Sequence, residues 1–536
     1  MGRAMAERRL KFWGWGYEGQ QLSEAEAARV ARVVAKRTGT TPHAYRAPPT
    51  LAEISLTPPR VAAPAKLARL VSSAAYDRAA HTYGKSYPDY IRAFARDFAV
   101  APDLVAYPEN EADIRGLLDW AAGAHVAVIP FGAGSSVVGG VEPKVGTSFK
   151  ATLSLDMRKL DRVREIDGAS RAARIEAGVF GPSLEAQLKL SGLTLRHFPQ
   201  SFEFSTLGGW IATRSGGHFA SLYTHIDDLV ESVRTVTPSG VLESRRLPGS
   251  GAGPSPDRLI IGSEGALGII VEAWVRLQSM PRHRASQAFF FDDFYRAADA
   301  LRAVSQAGLF PSNARLVDAE ECALAGVGEG KQHLVVLAFE SGDRPVEAWM
   351  AHAVECIKDH GGAPAGTPHG GRDATADAWR EAFIRGPFNR EGVIAHGIMH
   401  DTFETAITWE RLHDFHASVK SATERAIHEV TGRLGHVTCR FTHIYPDGPA
   451  PYFTLHASPT PGRELIEWRA IKTAASEALL KAGGTITHHH AVGRDHMPWY
   501  LKQRPVLFGA AFEAAKRALD PQGILNPGVL VPAPIA

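Results

Sequence analysis

Apolar and polar positions change period several times along the chain, and the changes divide it. LSEAEAARVARVVAKR (Leu22 to Arg37) is amphipathic with a helical period, and Ser23 followed by Glu26 is a capping-box start. The stretch from Pro42 to Pro64 is proline-rich and predicts an extended connector. Helical patterning returns in KLARLVSSAAYDRAAHTYG and SYPDYIRAFARDF. From about Val100, short apolar strands alternate with turns: DLVAYP, VAVIP, ATLSLDM, AARIEAGV, LVESVRTVTPSG and LIIGSEGALGIIVEAWVRL. Among them lies a helix, NEADIRGLLDWAAGA, with Asn110 as its cap. Beyond about Pro281, helices such as YRAADALRAVSQAG and VEAWMAHAVECIKDHGG alternate with strands such as HLVVLAFE, which predicts a sheet covered by helices on one face. GGAPAGTPHGG (Gly361 to Gly371) reads as a flexible connector. The last hundred residues give the strands VTCRFTHIYP and PYFTLHA, a long helix from about Arg463, a histidine cluster and a final helix ending at LDPQGILNPG. The expected fold class is α+β: a helical region at 1–97, an α+β domain at 98–280, a second at 281–435, and a C-terminal segment at 436–536.

Composition narrows the function classes. Of 536 residues, 45% are hydrophobic and 22% charged, which suits a globular chain with ample core. Lys+Arg 59 against Asp+Glu 57 leaves no basic excess, so nucleic acid is not an expected partner. Three widely separated cysteines make neither a disulfide framework nor a zinc site. No run approaches the roughly 18 apolar residues of a membrane span, and the opening lacks a secretory apolar stretch, so the expected location is cytoplasmic.

Three glycine-rich loops are the first chemical candidates. Pro130, Phe131, Gly132, Ala133, Gly134, Ser135 and Ser136 follow a strand, so their N–H groups and hydroxyls can cradle a phosphate or merely make a tight turn. A Rossmann fingerprint is rejected, because Val137 stands where its third glycine belongs and no helix follows. Gln200, Ser201, Phe202, Glu203, Phe204, Ser205 and Thr206, continuing through Thr213, Arg214, Ser215 and Gly216, are dense in small donors. In IGSEGALGII, Gly262, Gly265 and Gly268 lie three apart between apolar runs, where a backbone can approach a ligand closely.

Taken in this order, the loops resemble the FAD-binding half of the vanillyl-alcohol oxidase/PCMH flavoprotein superfamily, and within it the alkyldihydroxyacetonephosphate synthases. The resemblance runs from FWGWGY (Phe12 to Tyr17) through DLVAYP, PFGAGSS, FEFSTLGGWIATR, GSEGALG, ARLVD, DTFETA, CRFTHIY and THHHAVG to LDPQGILNPG. It implies a PCMH-type two-subdomain FAD-binding domain at 98–280, a cap domain at 281–435, and a C-terminal segment that returns to the active site. It also implies FAD contacts from Pro130 to Ser136, Gln200 to Thr206, Thr213 to Gly216, and from Glu264, Gly265, Ala266, Leu267, Gly268, Ile269 and Ile270. Noncovalent FAD is expected, since positions 130–140 hold neither His nor Cys; His218 is a possible attachment point, but in the wrong loop.

The reactive side chains lie elsewhere. Read as a strand, Thr487 to His490 puts His488 and His490 on one face and His489 on the other. Such a cluster reads as a surface run, a metal site or a set of proton carriers; the resemblance selects the third. It also implies that Tyr452, otherwise a plain sheet tyrosine, is the general acid/base. Arg390 would hold a substrate phosphate, and Arg315 would act through the architecture around the site, where the bland alternative is a salt bridge with Asp318. The implied reaction is redox-neutral: the acyl group of an acyl-dihydroxyacetone phosphate is exchanged for a fatty alcohol, with flavin N5 as covalent catalyst. The substrate is therefore a lipid with an anionic group. A homodimer is expected of the class, and the aromatic opening is the segment expected to meet a partner subunit or a membrane surface. One departure is GHFASLYTH (Gly217 to His225), where the eukaryotic synthases carry a lysine-bearing segment. It favours the rival reading, an FAD-dependent dehydrogenase or oxidase of a 2-hydroxy acid or an aromatic alcohol.

Overall fold

The computed structural model describes residues 9–223, 225–366 and 371–533. Both chain ends, residues 367–370 of the expected connector and residue 224 of the GHFASLYTH segment lie outside the described residues. The capping box is present: Ser23 starts the helix Glu24–Thr38, with the Glu26 carboxylate accepting from its backbone and Ala27, Ala31 and Val34 turned inward. Asn110 caps Glu111–Ala124 as expected.

The 98–280 region folds around two sheets. Leu104–Ala106, Ala151–Asp156 and Val126–Phe131 form a parallel set, with Val71–Ser72 added at one edge. A five-stranded antiparallel sheet runs in the order Val163–Asp167, Ala172–Glu176, Ile269–Arg276, Val230–Thr237, Gly240–Glu243. The first strand therefore comes from the region read as helical, because Val71 pairs with Ala106.

The second half is a seven-stranded antiparallel sheet. Its order is Ala363–Pro364, His283–Phe291, His333–Ser341, Asn313–Val317, His436–Ile444, Pro449–Ala457, Met399–Glu404. One face is apolar and is covered by the helices Phe294–Gln306, Glu347–Asp359, Leu412–Thr431 and Glu464–Lys481; Phe289, Phe339, Phe403, Phe441 and Phe453 pack there. This is the covered face that the alternating pattern predicted. The boundary expected at 436 needs correction: two of the central strands follow it, and they pair with strands that precede it. The chain leaves this sheet only after Lys481. It then returns to the first half, where Met497, Phe512 and Val529 join the core and the Asn526 amide donates to the Val128 carbonyl.

The aromatic opening is turned inward. Phe12 and Trp13 belong to the main core, and Lys11 donates to Glu391 at 2.7 Å with both side chains buried. A buried pair of this kind holds chain position, because separating it strands a charge away from water. The opening is therefore a clamp on the helix Ala374–Ala395, which carries Arg390.

Candidate active site

A cavity of about 810 Å³ lies between the two halves. Pro130 to Ser136 all line it, along with Gln200, Ser201, Ser205, Thr206, Thr213, Ser215, Gly216, Glu264, Gly265, Gly268, Ile269 and Ile270. Six expected contacts do not reach it. Phe202 stacks on Trp210, Phe204 packs on Trp15 and Tyr17, Glu203 faces solvent, Ala266 and Leu267 are in the core, and Arg214 pairs with Asp227. Strand and helix ends alternate their side chains, so a contiguous loop cannot present every residue to one ligand.

The glycines show that the cradle is built for close backbone approach. A Cβ on Gly132 would stand 2.4 Å from Thr206 Oγ1, and one on Gly265, which has φ +73°, 2.5 Å from the Pro130 ring. The three loops are thus packed directly against each other, with their hydroxyls and N–H groups facing one space. That arrangement fits an extended dinucleotide such as FAD.

The floor is the uncovered face of the seven-stranded sheet. Three neighbouring strands set their residues in ranks: His436–His456–His400, Thr438–Thr454–Thr402, and Arg440–Tyr452–Glu404. Tyr452 Oη donates to Thr402 Oγ1 at 3.0 Å, and the Arg440 guanidinium lies 4.0 Å above the tyrosine ring. Burial raises the tyrosine pKa, and Arg440 opposes the rise.

The histidine triplet is not a strand. It bends around the buried Glu404 carboxylate, which accepts the backbone N–H groups of His488, His489 and His490 and the Thr487 hydroxyl. The faces divide differently from the strand reading. His489 and His490 line the cavity beside Tyr452, at 6.0 and 5.3 Å between ring centroids. His488 turns away to Tyr445, 3.1 Å from its hydroxyl, and lines a second cavity of about 1000 Å³. Burial pushes the His489 pKa down to about 3 and those of His488 and His490 well below the usual range. These imidazoles are neutral at pH 7. Nitrogens of His443, His488 and His489 come within 4.8 Å of one another, but both nitrogens of His443 already face Thr442 Oγ1 and the Gly217 carbonyl.

The two arginines stand in different surroundings, which the sequence did not show. Arg390 lines the cavity but is tied to the His400 and Lys85 carbonyls and to Asp401 Oδ1 at 2.9 Å. Arg315 is 3% exposed and pairs with no carboxylate; Asp318, its partner in the bland alternative, caps a helix instead. Its NH2 donates to His218 Nδ1 at 2.9 Å, while its Nε and NH1 are buried without partners. Burial and the neighbouring Arg440 lower its pKa to about 9. A buried guanidinium with open donors beside a cavity can accept an anion.

Sequence reasoning missed Glu404, Arg440, His443 and the His400–His456 pair. The signal was present: in HDTFE and YFTLH the polar residues recur at every second position, as on a sheet face that meets a cavity. It also missed Glu264 as a link. Its carboxylate accepts from the N–H groups of Val492 and Gly493, both at 2.8 Å, joining the third glycine loop to the histidine segment.

Burial raises the Glu264 pKa to about 7, against an ordinary value of 4.5. The folded state therefore binds more protons than the unfolded state between those values. Stability present at pH 4.5 is lost as pH rises towards 7, by about 3 kcal/mol at most. Denaturant midpoints measured from pH 4.5 to 7.5 should fall with rising pH, and Glu264→Gln should flatten that fall. An identical slope in the variant would assign the dependence to other groups.

The comparisons with known proteins agree with this geometry. Residues 102–244 match the model of the FAD binding domain, and residues 280–530 that of the C-terminal domain of FAD linked oxidases. The solved p-cresol methylhydroxylase shares the fold, with a TM-score of 0.67 at 15% identity over 87% of this chain and 94% of that one. The molecule is an FAD-dependent enzyme with a PCMH-type α+β fold. It is 31% identical to the alkyldihydroxyacetonephosphate synthase of Dictyostelium discoideum over 85% of this chain and 77% of that protein. A solved alkyldihydroxyacetonephosphate synthase superposes with a TM-score of 0.80 at 26% identity, covering 96% of this chain and 98% of that one. The chain belongs to the alkyldihydroxyacetonephosphate synthase family.

Proposed function

We propose that the protein exchanges the acyl group of an acyl-dihydroxyacetone phosphate for a long-chain alcohol, giving an ether lipid precursor and a fatty acid. The observation that carries this reading is one cavity that combines an unmet buried guanidinium with an apolar arm. Arg315, assisted by Arg440, takes the phosphate. Between the helices Glu24–Thr38, Ala319–Leu324 and Ala374–Ala395, the cavity wall is Val30, Val34, Leu324, Trp379 and Val393, which suits an alkyl chain.

FAD supplies the nucleophilic centre of such an exchange; the other roles fall to the chain's own groups. The Tyr452 oxygen takes the C1 proton of the substrate as the tyrosine's own hydroxyl proton passes to a neighbouring neutral imidazole. His489 and His490, neutral and beside it, hold or return that proton. Arg390, held by Asp401, sets the edge of the site. The flavin is noncovalent in this reading. His218 Nδ1 is occupied by Arg315, and Nε2 faces the Asn313 amide, so neither nitrogen is free for a flavin bond. The FAD-binding domain is 98–280, completed by the segment after Lys481, and the cap contains the seven-stranded sheet.

A homodimer in the cytoplasm completes the reading, with peripheral membrane contact at the exposed apolar run Val506, Leu507 and Phe508. The three cysteines are unpaired, as a reducing compartment favours, and no helix among the described residues is long and apolar enough to cross a membrane.

The test is to give the purified enzyme palmitoyl-dihydroxyacetone phosphate and hexadecanol and to follow products by mass spectrometry. Hexadecyl ether and palmitate in equal amounts are expected. Anaerobic reduction of the flavin by a 2-hydroxy acid or an aromatic alcohol, with keto acid or aldehyde released and no ether formed, would replace the synthase with an oxidoreductase.

A further inference from the structure

The exchange proposed above, on which this inference rests, is redox-neutral but not proton-neutral. Acyl ester plus alcohol gives ether plus carboxylate plus one proton. The ester bond to C1 breaks, the ether bond to C1 forms, and the alcohol's proton must leave the cavity in every turnover. An apolar arm filled by alkyl chains offers that proton no water.

The sheet floor offers another route. His400, His456 and His436 stand opposite one another on three adjacent strands. His400 and His456 line the cavity. His400 Nδ1 is 3.1 Å from His456 Nε2. The rings of His456 and His436 are 6.1 Å apart, and the Nδ1 atoms of both are buried without partners. His436 Nε2 meets Glu320 Oε2 at 2.6 Å, and the Glu320 side chain is 55% exposed. The inner end reaches the reacting region, since Tyr452 donates to Thr402, two residues from His400 on the same strand face. The adjacent Thr454 Oγ1 is also buried without a partner.

We propose that this rank of imidazoles is a proton conduit from the cavity floor to Glu320 at the surface. Each ring takes a proton on one nitrogen and releases one from the other. The proton passes from His400 Nδ1 to His456 Nε2, from His456 to His436 once ring rotation brings their Nδ1 atoms within reach, and from His436 Nε2 to the Glu320 carboxylate and solvent. No electrons move. A structural role alone gives no reason for the Nδ1 atoms of two neighbouring imidazoles to stay unmet in the interior, where an unpaired polar atom is costly.

The groups facing the rank set its charge. Arg390 and Arg440 stand by His400 and, after burial, push its pKa down to about 3. His456 is lowered by burial and by its two histidine neighbours. Glu320 is held below the usual range, chiefly by its hydrogen bond to His436, with Lys420 and His333 nearby. Without substrate, His400 and His456 are neutral. An anionic substrate beside Arg315, Arg390 and Arg440 offsets their repulsion, so the conduit accepts protons when substrate is bound.

The test uses the FAD-loaded enzyme and whichever substrate class the wild type turns over, so failure of the synthase reading is recorded separately, in the wild type. His456→Asn should lower kcat at least tenfold with KM within twofold. It should make turnover rise with imidazole concentration, and raise the solvent deuterium isotope effect. His436→Gln, at the more exposed end, should show the same signature more weakly and guards against a folding defect at His456. Wild-type kcat in both variants, or a loss that neither imidazole nor solvent deuterium alters, would overturn the conduit.

Discussion

Replacing Arg315 with methionine should cut kcat/KM about a thousand-fold while making the ligand-free protein more stable. The two effects have one cause. The guanidinium is 3% exposed, has no carboxylate partner, and keeps its Nε and NH1 groups unmet. Before substrate binds, this is a charge held away from water beside Arg440, whose own charge is paired with Glu321. Methionine fills a similar volume without that cost, so the unfolding free energy should rise by about 1–3 kcal/mol. With the anion present the same group becomes the main attraction, and kcat/KM should fall about a thousand-fold, the roughly 4 kcal/mol typical of losing a buried charge partner. Arg315→Lys, which keeps the charge but loses the planar fork, should recover part of the loss. Denaturant unfolding and steady-state kinetics on the same preparations decide it. A variant that is less stable yet keeps kcat/KM would make Arg315 a structural residue.

Tyr452→Phe should lower kcat by about a hundred- to ten-thousand-fold, the range for a positioned general acid or base, and leave KM nearly unchanged. The ring contacts with Arg440, His489 and His490 survive in phenylalanine, so folding and flavin content should hold. Only the hydroxyl and its bond to Thr402 are lost. The wild-type pH profile should carry no limb near pH 10, because burial raises the tyrosine above that value. A kcat within threefold of wild type, with absorbance showing full flavin, would return Tyr452 to the role of a sheet tyrosine and move the proton chemistry to the histidines.

The two arginine expectations show where a sequence stops being informative. Arg390 was read as the phosphate holder and Arg315 as an architectural residue. In the fold, every nitrogen of Arg390 has a partner among two carbonyls and Asp401, whereas two nitrogens of Arg315 have none. Both are arginines in polar-apolar mixtures, and neither flanking pattern records which donors are satisfied. The histidine triplet makes the same point. Alternation assumes a strand, but Glu404, some eighty residues away, gathers three successive N–H groups and bends the segment.

What the sequence determined by itself was local. Capping residues, strand alternation and glycine spacing are short-range properties, and they gave the α+β class, the helix starts at Ser23 and Asn110, and the three loops that face one space. The resemblance, carried by contiguous motifs, singled out Tyr452 and the histidine triplet; the roles proposed for them rest on it and on their place beside the cavity. Tertiary structure alone decided which charges are paired, which loop residues turn away, and where the chain changes domain. It also decided that His400, His456 and His436 form a rank. Pairing register is set by contacts between strands far apart in the chain, so a histidine on each of three strands carries no meaning until the sheet aligns them.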